Sequence, residues 1–365
     1  MTSSRDTLGR ASAPLPLAGR ENALSGDSAV SSTAVTRRAA LILGALAPLP
    51  LCAEAREKLL LVLPPESAAP HDPGPGAFDR PERLAAVRRA LARSEFAMAA
   101  RAEAPKASLE ALLTIHDSAY VERLSAAAPR DGVVRPGPDI IMSPGTLDAA
   151  LYAAGGAVLA TEAVMRGRAK CAFVATRPPG HHALPSEAMG FCFFNNAAID
   201  ARHALALGAE RVAILDFDAH HGNGVQRIFW SEKRVLYAST HQMPLFPGTG
   251  AVSEQGEHGN IVNAPLVKGD GGEIFAEAWR ERIFPALAAF GPDLLVLCAG
   301  FDGHKHDPLA GLKLEAEDFR ALTLRLRDFA DRRCGGRIVS LLEGGYRAED
   351  LEASVAAHVE ALMGA

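Results

Sequence analysis

Residues 212–224 read Val212-Ala213-Ile214-Leu215-Asp216-Phe217-Asp218-Ala219-His220-His221-Gly222-Asn223-Gly224. Four apolar residues run straight into carboxylates, imidazoles and glycines. A short, continuous apolar run fits a strand buried on both faces of a parallel sheet, because a half-exposed strand would alternate. In an extended segment, side chains two apart share a side, so Asp218 and His220 point together with Asp216 beside them. Crowding this many ionisable groups at one strand end is costly unless they coordinate or pair.

The pattern recurs along the chain. Apolar runs lie at 59–63, 171–175, 235–238, 294–298 and 338–342, separated by helix-like stretches at 146–168, 195–207, 272–290, 316–333 and 347–363. Strand then helix, repeated, predicts an α/β fold of three layers: a mostly parallel central sheet with helices on both faces. Polar segments again come after the runs: Arg177-Pro178-Pro179-Gly180-His181-His182, Ser239-Thr240-His241, Asp302, and Glu343-Gly344-Gly345-Tyr346. Open α/β sheets bind ligands beyond the carboxyl ends of their strands, so these loops are expected to build one site.

The residue types suit hydrolysis. Asp218, His220 and Asp302 offer two oxygens and one ring nitrogen, and three protein ligands with an open position are typical of catalytic zinc. Mn²⁺ or Fe²⁺ would accept the same set. Zn²⁺ lowers the pKa of bound water to about 7 and polarises a carbonyl. Imidazole can take a proton from that water and give one to a departing amine near neutral pH, a task for His181 and His182. Asp216 and Asn223 are candidate partners for those rings; a carboxylate raises its partner's pKa, whereas an amide orients without adding charge. Tyr346 can donate its hydroxyl to a developing oxyanion.

Taken in order, RPPGHH, GFCFFNN, DFDAHHGNG, FPGTG, AGFD followed by DPLAG, and LEGGY resemble the metal-dependent deacetylases of the histone deacetylase superfamily, closest to the class II and bacterial amidohydrolase branch. The resemblance runs from about Lys58 to the end of the chain. It implies an arginase/deacetylase-like fold with one Zn²⁺ on Asp218, His220 and Asp302. It implies His181 as the first of the tandem histidines with Asp216 as its partner, His182 as general base with Asn223 as its partner, and Tyr346 as the transition-state tyrosine. Phe191 and Phe246 match the walls of a narrow tunnel, Gly190 its floor, and Asp139 a rim aspartate that holds the substrate backbone. A structural K⁺ would sit on carbonyls of Asp216, Asp218 and His220, with Ser239 and Thr240. The implied reaction is hydrolysis of an N-acetyl or short acyl amide on a lysine-like or polyamine stem through a metal-bound water. One segment departs from the family: the usual H-P-E-R-P-x-R-L is Ala77-Phe78-Asp79-Arg80-Pro81-Glu82-Arg83-Leu84 here, which loses the histidine and leaves Phe78 near the site entrance.

Two other readings remain. An arginase-like ureohydrolase with two manganese ions would want a further carboxylate soon after the central histidine, where this chain has His221-Gly222-Asn223. A non-catalytic acyl-amine-binding protein would need no acid–base pair.

Composition sets the limits around this reading. The chain has 365 residues, 48% hydrophobic and 22% charged, with a net charge of −5 and no Lys/Arg block. These values exclude collagen, coiled coil and wholesale disorder and argue against a nucleic-acid partner. The expected partner is a small acylated amine or an acyl-lysine peptide, with homo-oligomerisation left open. Cys52, Cys171, Cys192, Cys298 and Cys334 form no C-x-x-C and are expected to be buried thiols. Residues 1–55 form an expected flexible N-terminal extension ahead of a catalytic domain at 56–365. Within it, Arg37-Arg38, an uncharged run over 39–53 and Ala53-Glu54-Ala55 resemble a twin-arginine export signal. That predicts a periplasmic mature enzyme, with the cytoplasm as the alternative. The run is shorter than the ~20 residues a membrane span needs, so no stable membrane insertion is expected.

Overall fold

The computed structural model describes residues 57–364; the 1–55 extension, its export signal, Cys52 and the 55/56 boundary lie outside the described residues. Among the described residues there are ten strands: β1 (Glu57–Leu63), β2 (Ala100–Glu103), β3 (Val134–Gly137), β4 (Ile140–Met142), β5 (Ala169–Val174), β6 (Val212–Asp216), β7 (Val235–Gln242), β8 (Ile261–Leu266), β9 (Leu294–Ala299) and β10 (Ile338–Leu342). Eight form one sheet in the order β2-β1-β5-β10-β9-β6-β7-β8, and every neighbouring pair is parallel. β3 and β4 pair as a separate antiparallel hairpin.

The continuous apolar runs are explained by cover on both faces. Leu59, Leu61, Phe173, Leu215 and Leu297 pack on one face with helices Pro81–Leu91, Ala316–Arg333 and Ala348–Met363. Val62, Val174, Val212, Ile214 and Val296 pack on the other with Thr146–Met165 and Asn196–Ala206. This is the expected three-layer α/β architecture. Among the described residues one helix, Thr146–Met165, is long and apolar enough to cross a membrane, and 61% of its most apolar stretch is buried inside the protein. A Cβ on its Gly155 would lie 2.0 Å from the Pro105 carbonyl oxygen, so only glycine permits this close approach.

The topology also gathers the polar loops. β5, β10, β9, β6 and β7 are five consecutive neighbours at the centre of the sheet. The segments carrying His181–His182, Tyr346, Asp302, Asp216–Asn223 and Ser239–His241 therefore meet along one edge.

Some boundaries differ from the sequence reading. β7 continues to Gln242, so Ser239 and Thr240 lie inside the strand and not beyond it. The stretch 272–290 is not one helix but Gly272–Ala278, a π turn at Trp279–Ile283, and Phe284–Phe290. Pro285 accounts for the break, since it has no N–H and its ring crowds the carbonyl of the preceding turn. The edge strands β2 and β8 escaped notice: β2 alternates half-buried and exposed residues, and β8 contains Pro265, which an edge strand tolerates. Cys171, Cys192, Cys298 and Cys334 are buried free thiols, as expected.

Candidate active site

β6 delivers Asp216 as its last residue, and the turn after it sets Asp218 and His220 facing Asp302 from the end of β9. His220 Nδ1 is 2.7 Å from Asp302 Oδ2 and 3.2 Å from Asp218 Oδ1. All three side chains are buried, and one ligand-type atom from each lies within 4.8 Å of the others. The backbone closes around them: the Gly344 N–H donates to Asp218 Oδ2 at 2.8 Å, the Ala219 N–H donates to Asp302 Oδ1 at 2.7 Å, and a Cβ on Gly300 would strike Asp218 Oδ2. The two carboxylates repel. Burial raises the pKa of Asp302 to about 6, reinforced by Asp218, whereas Asp218 is held below the carboxylate range because His181 and His220 outweigh its burial. Two dry carboxylates and a ring nitrogen form a donor set that a divalent cation such as Zn²⁺ fits, because a cation relieves the repulsion.

Beside this cluster stand His181 and His182, with ring centroids 4.0 Å apart. His181 Nδ1 meets Asp216 Oδ2 at 3.0 Å, and that oxygen also accepts from the Tyr237 hydroxyl. Burial works against a charged His181, but Asp216, Asp218 and Glu343 outweigh it and raise the pKa to about 10. His182 goes the other way. Burial, and then the positive charge of His181 and His220, holds it well below its usual value. Its Nδ1 pairs with Asn223 Oδ1 at 2.8 Å, while the Asn223 amide NH₂ points at Met189 Sδ, so the accepting oxygen faces the ring and the Nδ1 carries the proton. Neighbouring imidazoles are thus poised as a charged and a neutral group.

His182, His220 and Tyr346 open on one cavity of about 250 Å³, also lined by Asp139, Gly190, Phe191, Leu245, Phe246 and Leu309. Gly190 and Phe191 both have left-handed backbones, φ +57° and +65°. For phenylalanine that conformation costs roughly 1–2 kcal/mol, a strain retained where the ring forms the cavity wall. A Cβ on Gly190 would lie 2.2 Å from the His182 ring, so this glycine lets the wall close on the histidine. Asp139 Oδ2 accepts the Gly190 N–H at 2.6 Å, holding the same segment. Burial, with Asp302 and Asp218 in support and Arg83 opposed, holds the Tyr346 phenol protonated.

A family model for the histone deacetylase domain matches residues 77–362. The chain belongs to the histone deacetylase family. It is 41% identical over 285 residues to a probable deacetylase of Archaeoglobus fulgidus, covering 76% of this chain and 79% of that one. It is 41% identical over 287 residues to a histone deacetylase-like amidohydrolase of Pseudomonas aeruginosa, covering 77% and 74%. The crystal structure of the HDA15 HD domain superposes with a TM-score of 0.77 at 34% identity, covering 84% of this chain and 88% of the other. This deacetylase-family chain is a hydrolase, and its fold is that of the family.

The structure brings every sequence-selected residue to this edge of the sheet. Ser239 and Thr240 are buried there, with the Ser239 hydroxyl 2.9 Å from His241 Nδ1 and the Thr240 hydroxyl accepting from the Trp279 indole. His221 is occupied on both ring nitrogens, by Thr249 and Gln226, and does not join the carboxylate cluster.

Other residues of this deacetylase-family chain were not legible as functional. Glu343 Oε2 accepts the N–H groups of Gly180 and His181, tying the histidine turn to β10. Arg83 donates to Asp79, Gly345 O and Glu343 O, and its guanidinium lies 4.7 Å from the centre of the Tyr346 ring. Asp307 Oδ2 accepts the Tyr346 N–H at 2.8 Å. Only the family-like R-P-E-R-L and D-P-L-A-G segments hinted at Arg83 and Asp307. Phe78 meets the Tyr346 ring at 6.3 Å, edge to face.

Proposed function

We propose that this protein removes acetyl or a related short acyl group from the amine of a lysine-like or polyamine substrate, using one Zn²⁺ held by Asp218, His220 and Asp302. The observation that carries this reading is the convergence of His182, His220 and Tyr346 on one cavity walled by Phe191 and Phe246. Zn²⁺ bound there would supply Lewis acidity, polarising the amide carbonyl and acidifying water. Neutral His182 takes a proton at Nε2 from the water whose oxygen bonds to the amide carbonyl carbon, since its Nδ1 proton is held by Asn223. Charged His181, fixed by Asp216, keeps His182 from being protonated too early and offsets the negative charge that develops in the site. Tyr346 donates its hydroxyl to the carbonyl oxygen as charge builds on it. His182 then returns its proton to the leaving amine. The phenylalanine walls hold an aliphatic stem and exclude water. Burial of the Ser239 and Thr240 segment beside the cluster supports a K⁺ ion there as a structural companion.

The sequence's export-like segment adds a proposal of location: the enzyme acts in the periplasm, on small acylated amines or peptides. N-terminal sequencing of protein from its native host tests this, and an intact residue 1–55 segment would overturn it. The reaction is tested by acetate release from acetyl-lysine peptides and acetylated polyamines, with and without chelator. Activity that survives complete metal removal overturns the zinc reading. Urea release from guanidino substrates would favour the ureohydrolase, and zinc-loaded protein that binds acyl amines without turnover would favour the binding protein.

A further inference from the structure

The reaction uses neither His304 nor His306, which lie on the turn just after Asp302. Asp350, in the first turn of helix Ala348–Met363, packs against that turn. His304 Nδ1 is 3.5 Å from Asp350 Oδ2, and His306 Nδ1 is 3.4 Å from both Asp350 oxygens. One ligand-type atom from each residue lies within 4.8 Å of the others.

The spacing is informative. Ligands about 2.1 Å from a tetrahedral ion stand about 3.4 Å from one another, which both nitrogen–oxygen separations match. An N–H···O bond prefers about 2.9 Å. Asp350 Oδ2 is buried and lacks a hydrogen-bond partner, although Arg347 Nη1 stands 3.2 Å away as an ion pair. That arginine is half exposed and shared with Glu349 at 3.0 Å, so its hold on Asp350 is screened by solvent on the arginine side. The remaining neighbours are accounted for: Lys305 pairs with Glu315 at 2.6 Å, and the His306 N–H makes a long 3.4 Å contact with His304 Nδ1. His304 is buried and Asp350 largely so, while the half-exposed His306 leaves a route from solvent.

We propose that His304, His306 and Asp350 form a second metal site, separate from the Asp218–His220–Asp302 cluster, that binds one divalent ion of the Zn²⁺, Co²⁺ or Ni²⁺ kind with water completing its shell. Two imidazoles and one carboxylate select such ions over Mg²⁺ and Ca²⁺, which require oxygen cages. The site adjoins the segment that carries Tyr346: Asp307, beside His306, accepts the Tyr346 N–H, and Arg347, the present partner of Asp350, comes directly after Tyr346 in the chain.

The test is equilibrium dialysis of the purified full chain against Co²⁺, followed by metal analysis. Wild type is expected to hold two ions per chain, and His306→Ala and Asp350→Asn one each, with unfolding midpoints near wild type. Asp218→Asn should keep the second ion, with a visible absorption spectrum of nitrogen and oxygen ligation. A single ion on wild type at saturating Co²⁺ that Asp218→Asn loses would overturn the proposal. So would retention of the second ion by both His306→Ala and Asp350→Asn, or loss of both ions from His306→Ala. None of these readouts depends on deacetylation, so failure here and failure of the proposed reaction are distinguishable.

Discussion

His181, at the carboxyl ends of the sheet, and His358, on the helix packed beneath it, are both buried imidazoles with hydrogen bonds to their rings, yet one is charged and the other neutral. His358 Nδ1 pairs with Thr323 and Nε2 with Ser340, among the rings of Phe173, Phe217 and Phe301. The Thr323 hydroxyl donates to the Phe319 carbonyl, so it accepts from His358, whose other nitrogen accepts from Ser340. Burial without a counter-charge pushes its pKa down to about 3. At His181 the same burial is outweighed by three carboxylates, and the pKa rises to about 10. Depth fixes the cost of a charge; the neighbours decide whether the charge is kept.

The sharpest way to break this comparison is to remove the groups that exploit it. His182→Ala and Tyr346→Phe are each expected to lower turnover by about 10²–10⁴-fold while metal content stays near wild type. Metal loss in both would show that they hold the cluster together and do not act on substrate. Next, Asp216→Asn takes a carboxylate from His181. Turnover should fall roughly 10–100-fold, and the His181 pKa, read by NMR, should drop; an unmoved pKa would mean Asp218 and Glu343 suffice.

His358 gives a smaller effect with a definite sign. Its pKa is lower folded than unfolded, so the unfolded chain binds the extra proton. The stability this neutral ring contributes is complete above about pH 6.5 and is lost as pH falls toward about 3. Unfolding free energies from urea titrations of His358→Leu should therefore fall less steeply with acidification than those of wild type, by at most about 1.4 kcal/mol per pH unit. Equal slopes would show that His358 does not set acid sensitivity. The smallest expected change is a shift and not a loss. Asn223→Asp gives His182 the charged partner His181 already has, and should move the acid limb of kcat/KM upward by about 1 pH unit.

Much of the site was legible because the chemistry is local. Asp216, Asp218, His220 and Asn223 sit within eight residues, and each polar group falls at the end of an apolar run. The alternation of runs and helices likewise exposed the layered fold. β2 and β8 were missed for a physical reason: an edge strand tolerates charge or proline, as at Arg101 and Glu103 in β2 and Pro265 in β8, so it lacks the continuous apolar signal of the central strands. The break at Trp279–Ile283 was missed because the apolar period continues through it. Arg83 and Glu343 were missed as functional because an arginine in a helix and a glutamate after a strand are commonplace. Their meaning lies in partners roughly 160 or 260 residues away.

The sequence by itself determined the α/β class, the identity of the clustered donors and the polarity of the strand ends, because these depend on residue type and short-range periodicity. Only the tertiary structure decided that β5, β10, β9, β6 and β7 stand side by side, and so which loops meet. It also decided the charge on each histidine. A pKa depends on the burial and on the sign of charges within a few ångströms, and those neighbours are supplied by strands far apart in the chain.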